Sequence, residues 1–570
     1  MASRLFRAPD LFQHSANKSV FRFAALMLPL LLTMGCSNKP ADVPTVGEKG
    51  VSSSPTAMTQ PVALSETDFD KAKFLFFDTC AGCHGALRKG ATGPELSPEK
   101  ILKLGQDYVR KVITQGTPKG MPPWGVQGIV TPEQVVLLGN YLAMPPPEPP
   151  MMNLSEMKGS WKVLVPPEER PTSPQHERNW ENFFGVILRN AGKVAIIDGD
   201  TKERVSVMET GFAVHILRSG PDGRYFYVIG RDAKASLIDL WANPPQVVAE
   251  VKVGIDARSI EISKYNGPKG DFGGKYAVIG CYWPPHMVVV DGQTLEPIKV
   301  VSTSSYSYDE NEYIQEARVA SIVASHDSPE WIVCIKESGY VWLVDYSNVD
   351  SLKITQVAAE RYLHDGGFDS TKRYFLVAAN QRDTVCVVDA KEGKLVGKIK
   401  VGVKPHPGRG ANFIAPEFGP VWATGHIGSP DLSLIGTDPE NHPEQAFKEV
   451  KRLTLPSGGS LFLKTHPKSN HLWVDHPLSS DVELARTVAV FDRRDLSKPP
   501  ELIKVSDRGK AVHFEYDKSG KEVWVSTWDV NGEIVIYDDE TLQEKHRITG
   551  DWVITPTGKF NVYNTANDTY

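Results

Sequence analysis

Three residues between positions 80 and 84 carry the clearest chemistry in this sequence. Cys80-Ala-Gly-Cys83-His84 sets two thiols three positions apart, with an imidazole directly after the second. Thiols at that spacing form thioethers to the vinyl groups of a haem, and the adjoining histidine reaches the iron. A zinc knuckle would need a second ligand pair, and a redox-active Cys-x-x-Cys has no use for the histidine. Covalent haem c is the reading that employs Cys80, Cys83 and His84 together. Lys119-Gly-Met121-Pro-Pro-Trp124 then offers a thioether on a proline-rich loop, with Met121 expected as the sixth ligand. Met144 is its rival, but it follows the closing helix. Methionine–histidine ligation raises the iron potential and suits electron transfer. A second group of candidates lies further on, where His215, Arg218, Arg231, Arg258, His364, His406 and Arg409 are expected on loops between strand-like runs.

The elements that must hold these residues are of two kinds. An amphipathic helix approaches the haem motif from Asp68 to Asp78. A second runs over Val130–Leu142, with Thr131 as N-cap and Pro132 at the first helical position. A small all-α cytochrome c domain over 66–148 follows, then a linker over 149–180 opened by Pro145-Pro-Pro-Glu-Pro-Pro150. From 181 to 570 one pattern recurs: three or four apolar, often β-branched residues, usually an aspartate, then a polar turn. Its eight copies end at Asp198, Asp239, Asp291, Asp345, Asp389, Gly436, Asp492 and Asp538. The spacing is that of a four-stranded propeller blade. The expected body is therefore an all-β eight-bladed propeller, with a seven-bladed ring as the rival.

Composition agrees with two folded units. The chain has 570 residues, 41% hydrophobic and 23% charged, and its formal net charge of −6 gives no reason to expect nucleic acid. At the N-terminus, basic residues precede the apolar run Phe23–Leu32, which is too short to span a bilayer and reads as a signal-peptide core. Thr33-Met-Gly-Cys36 resembles a lipoprotein cleavage site. The alternatives are lipidation of Cys36 after removal of 1–35, or an ordinary secretory signal; a flexible tether fills 36–65. Contact with the membrane is expected only through that anchor, on a periplasmic protein. Cys281, Cys334 and Cys386 lie in apolar runs and read as buried free thiols, or as one disulfide and a spare.

Longer strings now carry a resemblance. Phe212-Ala-Val-His215-Ile-Leu-Arg218, Val228-Ile-Gly-Arg231, Tyr282-Trp-Pro-Pro285, Leu363-His364-Asp-Gly-Gly367, Pro405-His-Pro-Gly-Arg409-Gly-Ala-Asn-Phe413 and Thr555-Pro-Thr-Gly-Lys-Phe-Asn-Val-Tyr-Asn-Thr565 resemble segments of the cytochrome cd1-type nitrite reductases. With the haem c motif included, the likeness runs in order from Phe69 to Tyr570.

The resemblance implies a non-covalent haem d1 in the propeller, with His215 as its proximal ligand. It implies that Arg218, Arg231 and Arg409 meet the cofactor's carboxylates, that Tyr282 contacts it, and that Thr557 and Gly558 lie beside it. In the family, haem c relays an electron to haem d1, where nitrite becomes nitric oxide and water, and two distal histidines deliver the protons. One of these is read here as His364. The other is expected at position 314, where this sequence has Ile314 in Tyr313-Ile-Gln-Glu-Ala-Arg318. His513 stands where the family tends to have Gln; it either compensates for the missing donor or merely replaces a hydrogen-bonding amide. The implied electron donor is a small periplasmic cytochrome c or cupredoxin, and a homodimer is the family's common state. Two other functions are carried forward: a dihydro-haem d1 dehydrogenase in cofactor maturation, and a haem d1 carrier or nitric oxide sensor without turnover.

Overall fold

Each copy of the repeated motif is one strand of a blade. The computed structural model describes residues 63–90, 93–117, 121, 123–126 and 128–569, and these fall in one compact unit. Its eight main sheets are antiparallel, and in every one the motif is the third strand from the propeller axis. The recurring aspartate ends that strand because a short side-chain carboxylate can satisfy the next turn. Asp291 Oδ1 accepts from the backbone N–H of Gln293 and Thr294 at 2.9 and 2.8 Å. Asp389 Oδ1 does the same for Lys391 and Glu392, both at 3.1 Å. The sixth copy ends in glycine because a Cβ on Gly436 would sit 2.3 Å from the Gln445 carbonyl oxygen.

Eight blades close into a ring rather than seven. The last strand, Pro556–Asn561, is the innermost strand of the first blade and pairs with Phe183–Leu188 through Phe184↔Asn561 and Gly185↔Phe560. Pairing the two ends of the body in one sheet removes the open edges of the array. Between blades the strands are apolar on both faces. Trp331, Trp422, Trp473 and Trp524 are among the fully buried side chains, and each buried Val, Ile or Leu around them contributes roughly 2 kcal/mol by transfer.

The N-terminal module is helical, with helices Glu66–Thr79, Ala81–His84, Pro98–Leu104, Gln106–Gln115 and Pro132–Leu142. Thr131 caps the last as read from the sequence. Its Oγ1 accepts from Gln134 N, and Gln134 Oε1 accepts from Thr131 N at 2.8 Å, a reciprocal capping box. The segment between the modules is ordered. Leu154–Ser160 is helical, and Lys162–Val163 adds a fifth strand to the outer edge of the second blade, opposite Glu250 and Ala249. Cys281, Cys334 and Cys386 are free and buried, and burial pushes each thiol up. Signal peptide, Cys36 and nearly all of the tether lie outside the described residues. Among those described, no helix is long and apolar enough to cross a membrane.

Candidate functional site

The innermost strands of the blades are irregular where chemistry-bearing residues sit. Leu363–Phe368 shifts register between Leu363 and Gly366, around His364 and Asp365. Pro405–Ala415 shifts between His406 and Ala411, around Gly408 and Arg409. Lys510–Tyr516 shifts between Val512 and Phe514, and His513 between them has φ 59°. A bulge turns a side chain that strict alternation would send into the blade. Here the turned side chains meet on the axis, in a cavity of about 350 Å³. His364, His406 and Arg409 therefore lie within strands rather than on the inter-strand loops expected from the sequence, whereas His215 and Arg231 do lie outside strands.

His215 opens onto this cavity from the start of the second blade. Its Nδ1 lies 3.0 Å from the Arg258 carbonyl, which fixes the N–H there and leaves Nε2 unprotonated, accepting weakly from Arg258 Nη1 at 3.4 Å and able to hold a metal in its place. Burial and the charges of Arg258, Arg189 and Arg231 hold it well below the usual histidine range, so it is neutral. Four arginines converge on the same cavity: Arg189, Arg218, Arg258 and Arg409. Arg218 and Arg409 approach the buried Glu261 Oε2 at 3.5 and 2.9 Å. Burial and the charges of Arg231 and Arg258 push Arg189 down to about 9. This concentration of desolvated positive charge fits a large anionic macrocycle with several carboxylates. Arg189 was not singled out in the sequence; its signal is an arginine ending an apolar strand, as Arg231 nearly does.

Tyr282, Thr557 and Gly558 line the cavity too, and the Tyr282 ring lies 4.8 Å from the Arg258 guanidinium. Arg231 does not line it. Arg231 is buried in an ion pair with Asp256 at 2.9 Å and presses on Gly82 of the haem motif, where a Cβ would meet its Nη2 at 1.7 Å.

On another wall His364 and His406 stand together, ring centroids 4.9 Å apart, with Asp365 between them. Position 314 is elsewhere. Ile314 belongs to a short hairpin, Ser305–Tyr306 with Tyr313–Ile314, and packs into the core around Trp331 and Val333. Two residues on, Glu316 accepts from Ala86 N at 2.6 Å, so this segment serves the contact between modules. From the fifth and sixth blades, His364 and His406 both line the cavity. His513 lines the cavity as well. Its ring lies between Phe462 and Phe560, and its Nδ1 accepts weakly from Lys559 N at 3.4 Å.

The haem c motif is built for its cofactor. His84 Nδ1 lies 2.7 Å from the Pro94 carbonyl, which leaves Nε2 for iron. Burial pushes the Cys80 thiol up to about 11, the opposite of a reactive redox pair. Arg88 is buried beneath Tyr141, and among the described residues its Nε and Nη2 have no hydrogen-bond partner, which fits an acidic group of a bound haem. Met121 packs against the core of this module beside Trp124, tied by Thr117 N to its carbonyl at 3.0 Å.

Comparison with known proteins agrees with both halves. The model of the Cytochrome D1 heme domain matches residues 178–565, and that of cytochrome c oxidase, cbb3-type, subunit III matches 67–142. The nitrite reductase of Stutzerimonas stutzeri is 46% identical over 90% of this chain and 96% of its own. The chain belongs to the cytochrome cd1-type nitrite reductase family. Among other cd1-type relatives, the dihydro-heme d1 dehydrogenase of Pseudomonas aeruginosa is 27% identical over 88% of this chain and 95% of its own. A solved structure of a dihydro-heme d1 dehydrogenase in complex with DHE superposes with a TM-score of 0.67 at 27% identity, covering 87% of this chain and 99% of that one.

Proposed function

We propose that this chain is a periplasmic nitrite reductase that forms nitric oxide, with haem c in the helical module and haem d1 on the propeller axis. The observation that carries this reading is 46% identity to a nitrite reductase over nearly its full length, in a chain whose cavity is lined by both a histidine pair and several arginines. When bound, haem c supplies one-electron relay and haem d1 supplies the iron at which nitrite is held. The protein's own residues do the rest. His215 Nε2 is the proposed proximal ligand, and Arg189, Arg218, Arg258 and Arg409 bind the cofactor's carboxylates. Cys80 and Cys83 would attach haem c, and His84 and Met121 would hold its iron.

The reaction, NO₂⁻ + 2H⁺ + e⁻ → NO + H₂O, breaks one N–O bond and makes two O–H bonds. His364 and His406 are suited to hold the oxyanion and to pass those protons to it. His513 is not so suited. Its ring is held between Phe462 and Phe560 and its Nδ1 already accepts from Lys559 N, so we assign it hydrogen bonding at the cavity wall rather than proton delivery.

Dehydrogenation of dihydro-haem d1, or carriage without turnover, drew support from a missing distal histidine. With His364 and His406 both at the cavity, that support goes, and the dehydrogenase relative is the more distant by identity. Attachment by a lipid on Cys36, a small cytochrome or cupredoxin as donor, and a homodimer remain part of the proposal. The test is nitric oxide release from nitrite by the purified, cofactor-loaded, pre-reduced protein. Steady release supports the reading. Silence with nitrite and conversion of dihydro-haem d1 overturns it in favour of maturation.

A further inference from the structure

One carboxylate serves both histidines of the pair, and the mechanism above leaves it unused. Asp365 follows His364 in the bulge of the fifth blade. A Cβ on Gly366 would lie 2.1 Å from the Leu376 carbonyl oxygen, so the bulged chain packs there only as glycine. Asp365 Oδ1 lies 2.9 Å from His364 Nδ1. Its Oδ2 accepts from Gly408 N at 2.6 Å and lies 3.4 Å from His406 Nδ1. His406 Nδ1 also lies 2.8 Å from the Leu461 carbonyl. With the Nδ1–H of both rings drawn to these acceptors, both Nε2 atoms are left for the cavity.

We propose that Asp365 is a positioning residue for nitrite reduction: its single carboxylate orients His364 and fixes its tautomer, flanks His406, whose Nδ1–H the Leu461 carbonyl holds, and supplies the counter-charge that lets the pair carry protons to the bound oxyanion. The proposal rests on the functional reading given above.

The charges around His364 show why such a group is needed. Burial pushes His364 down to about 4, and Lys336 and His406 act in the same direction. Asp365 is the group that opposes them. Asp365 itself stays ionised. Burial would raise it, but His406, His364 and the Gly408 N–H bring it below the usual carboxylate range. A negative substrate entering the cavity acts in the same direction as Asp365 and favours proton uptake by His364.

Asp365→Asn keeps the size of the side chain and an oxygen for Gly408 N–H but removes the charge, whereas Asp365→Glu keeps the charge. In the full, cofactor-loaded chain, Asp365→Asn is expected to bind haem d1 with unchanged affinity and visible spectrum. Its nitrite turnover at pH 7 is expected to fall at least about tenfold, with the loss narrowing as pH is lowered, because proton delivery then needs a more acidic medium. Asp365→Glu is expected to recover part of the rate. Independently of turnover, the imidazole NMR signal of His364 in the cofactor-free protein should titrate at lower pH in Asp365→Asn. An unchanged pH profile together with an unchanged His364 titration overturns the proposal. So does a loss of cofactor affinity as large as the loss of rate, which would assign Asp365 to holding the bulge. Should the wild-type protein fail to reduce nitrite, the functional reading falls, while the His364 titration still decides whether Asp365 governs the pair.

Discussion

His364 and His406 come from neighbouring inner strands and meet only because both strands bulge. Ile314, by contrast, sits in a hairpin beside the cytochrome module. Replacing Ile314 by His should therefore leave nitrite turnover within about twofold of wild type. His406→Ala should lower it on the order of a hundredfold, the usual loss with a general acid. Steady-state nitric oxide production measures both, and a large gain in Ile314→His would reinstate position 314 as part of the site. Arg409 gives a second prediction at this scale. Its Nη2 holds Glu261 at 2.9 Å and faces the cavity. Arg409→Leu should weaken haem d1 binding about 10- to 100-fold, the worth of a charge-assisted hydrogen bond, as read by optical titration of the cofactor-free protein. Both residues were legible in the sequence as chemistry, since histidine and arginine types stand out. Their grouping was not, because 41 residues lie between His364 and His406 and only the blade geometry brings their rings to 4.9 Å.

At the scale of elements, the third strand of each blade was the readable one. It is apolar throughout and ends in an aspartate whose carboxylate caps a turn, so its eight copies look alike. The innermost strands were not readable as strands. Pro405-His-Pro-Gly-Arg-Gly-Ala has the composition of a loop, yet it begins an eleven-residue strand, Pro405–Ala415, whose bulge needs Gly408 at φ 62° and Gly410 at φ 76°. The same tolerance for glycine matters where the modules touch. Gly82 of the haem motif lies under Arg231 and Arg258, whose nitrogens would be 1.7 and 2.5 Å from a Cβ placed there. Gly82→Ala should keep covalent haem c, because Cys80, Cys83 and His84 are untouched, but force the two modules apart. Stopped-flow reduction of haem d1 after haem c should then be at least about tenfold slower, since misplacement by about 1 Å between reacting groups has costs of that order or larger. An unchanged rate would show that the arginines yield without moving the haem motif.

Over the whole molecule the ring is held by eight similar sheets closed by one terminal strand, and its interior keeps several histidines neutral. Burial pushes His286, His466 and His476 each down to about 4. His286 is buried at the third blade, where its Nε2 lies 2.8 Å from the Val253 carbonyl. In the unfolded chain such groups take up a proton near pH 6.5, whereas in the fold they resist until about pH 4. Their contribution to stability is therefore fully present above pH 6.5 and is lost as pH falls toward 4. A shift of this size in His286 corresponds to roughly 3 kcal/mol over that interval. Thermal unfolding followed by circular dichroism should show Tm falling steeply between pH 6.5 and 4. His286→Gln keeps an N–H for Val253 without a titratable group, so it should flatten part of that fall while leaving Tm near pH 7 little changed. If the variant's Tm falls with the same slope as wild type, the acid sensitivity of the ring comes from elsewhere.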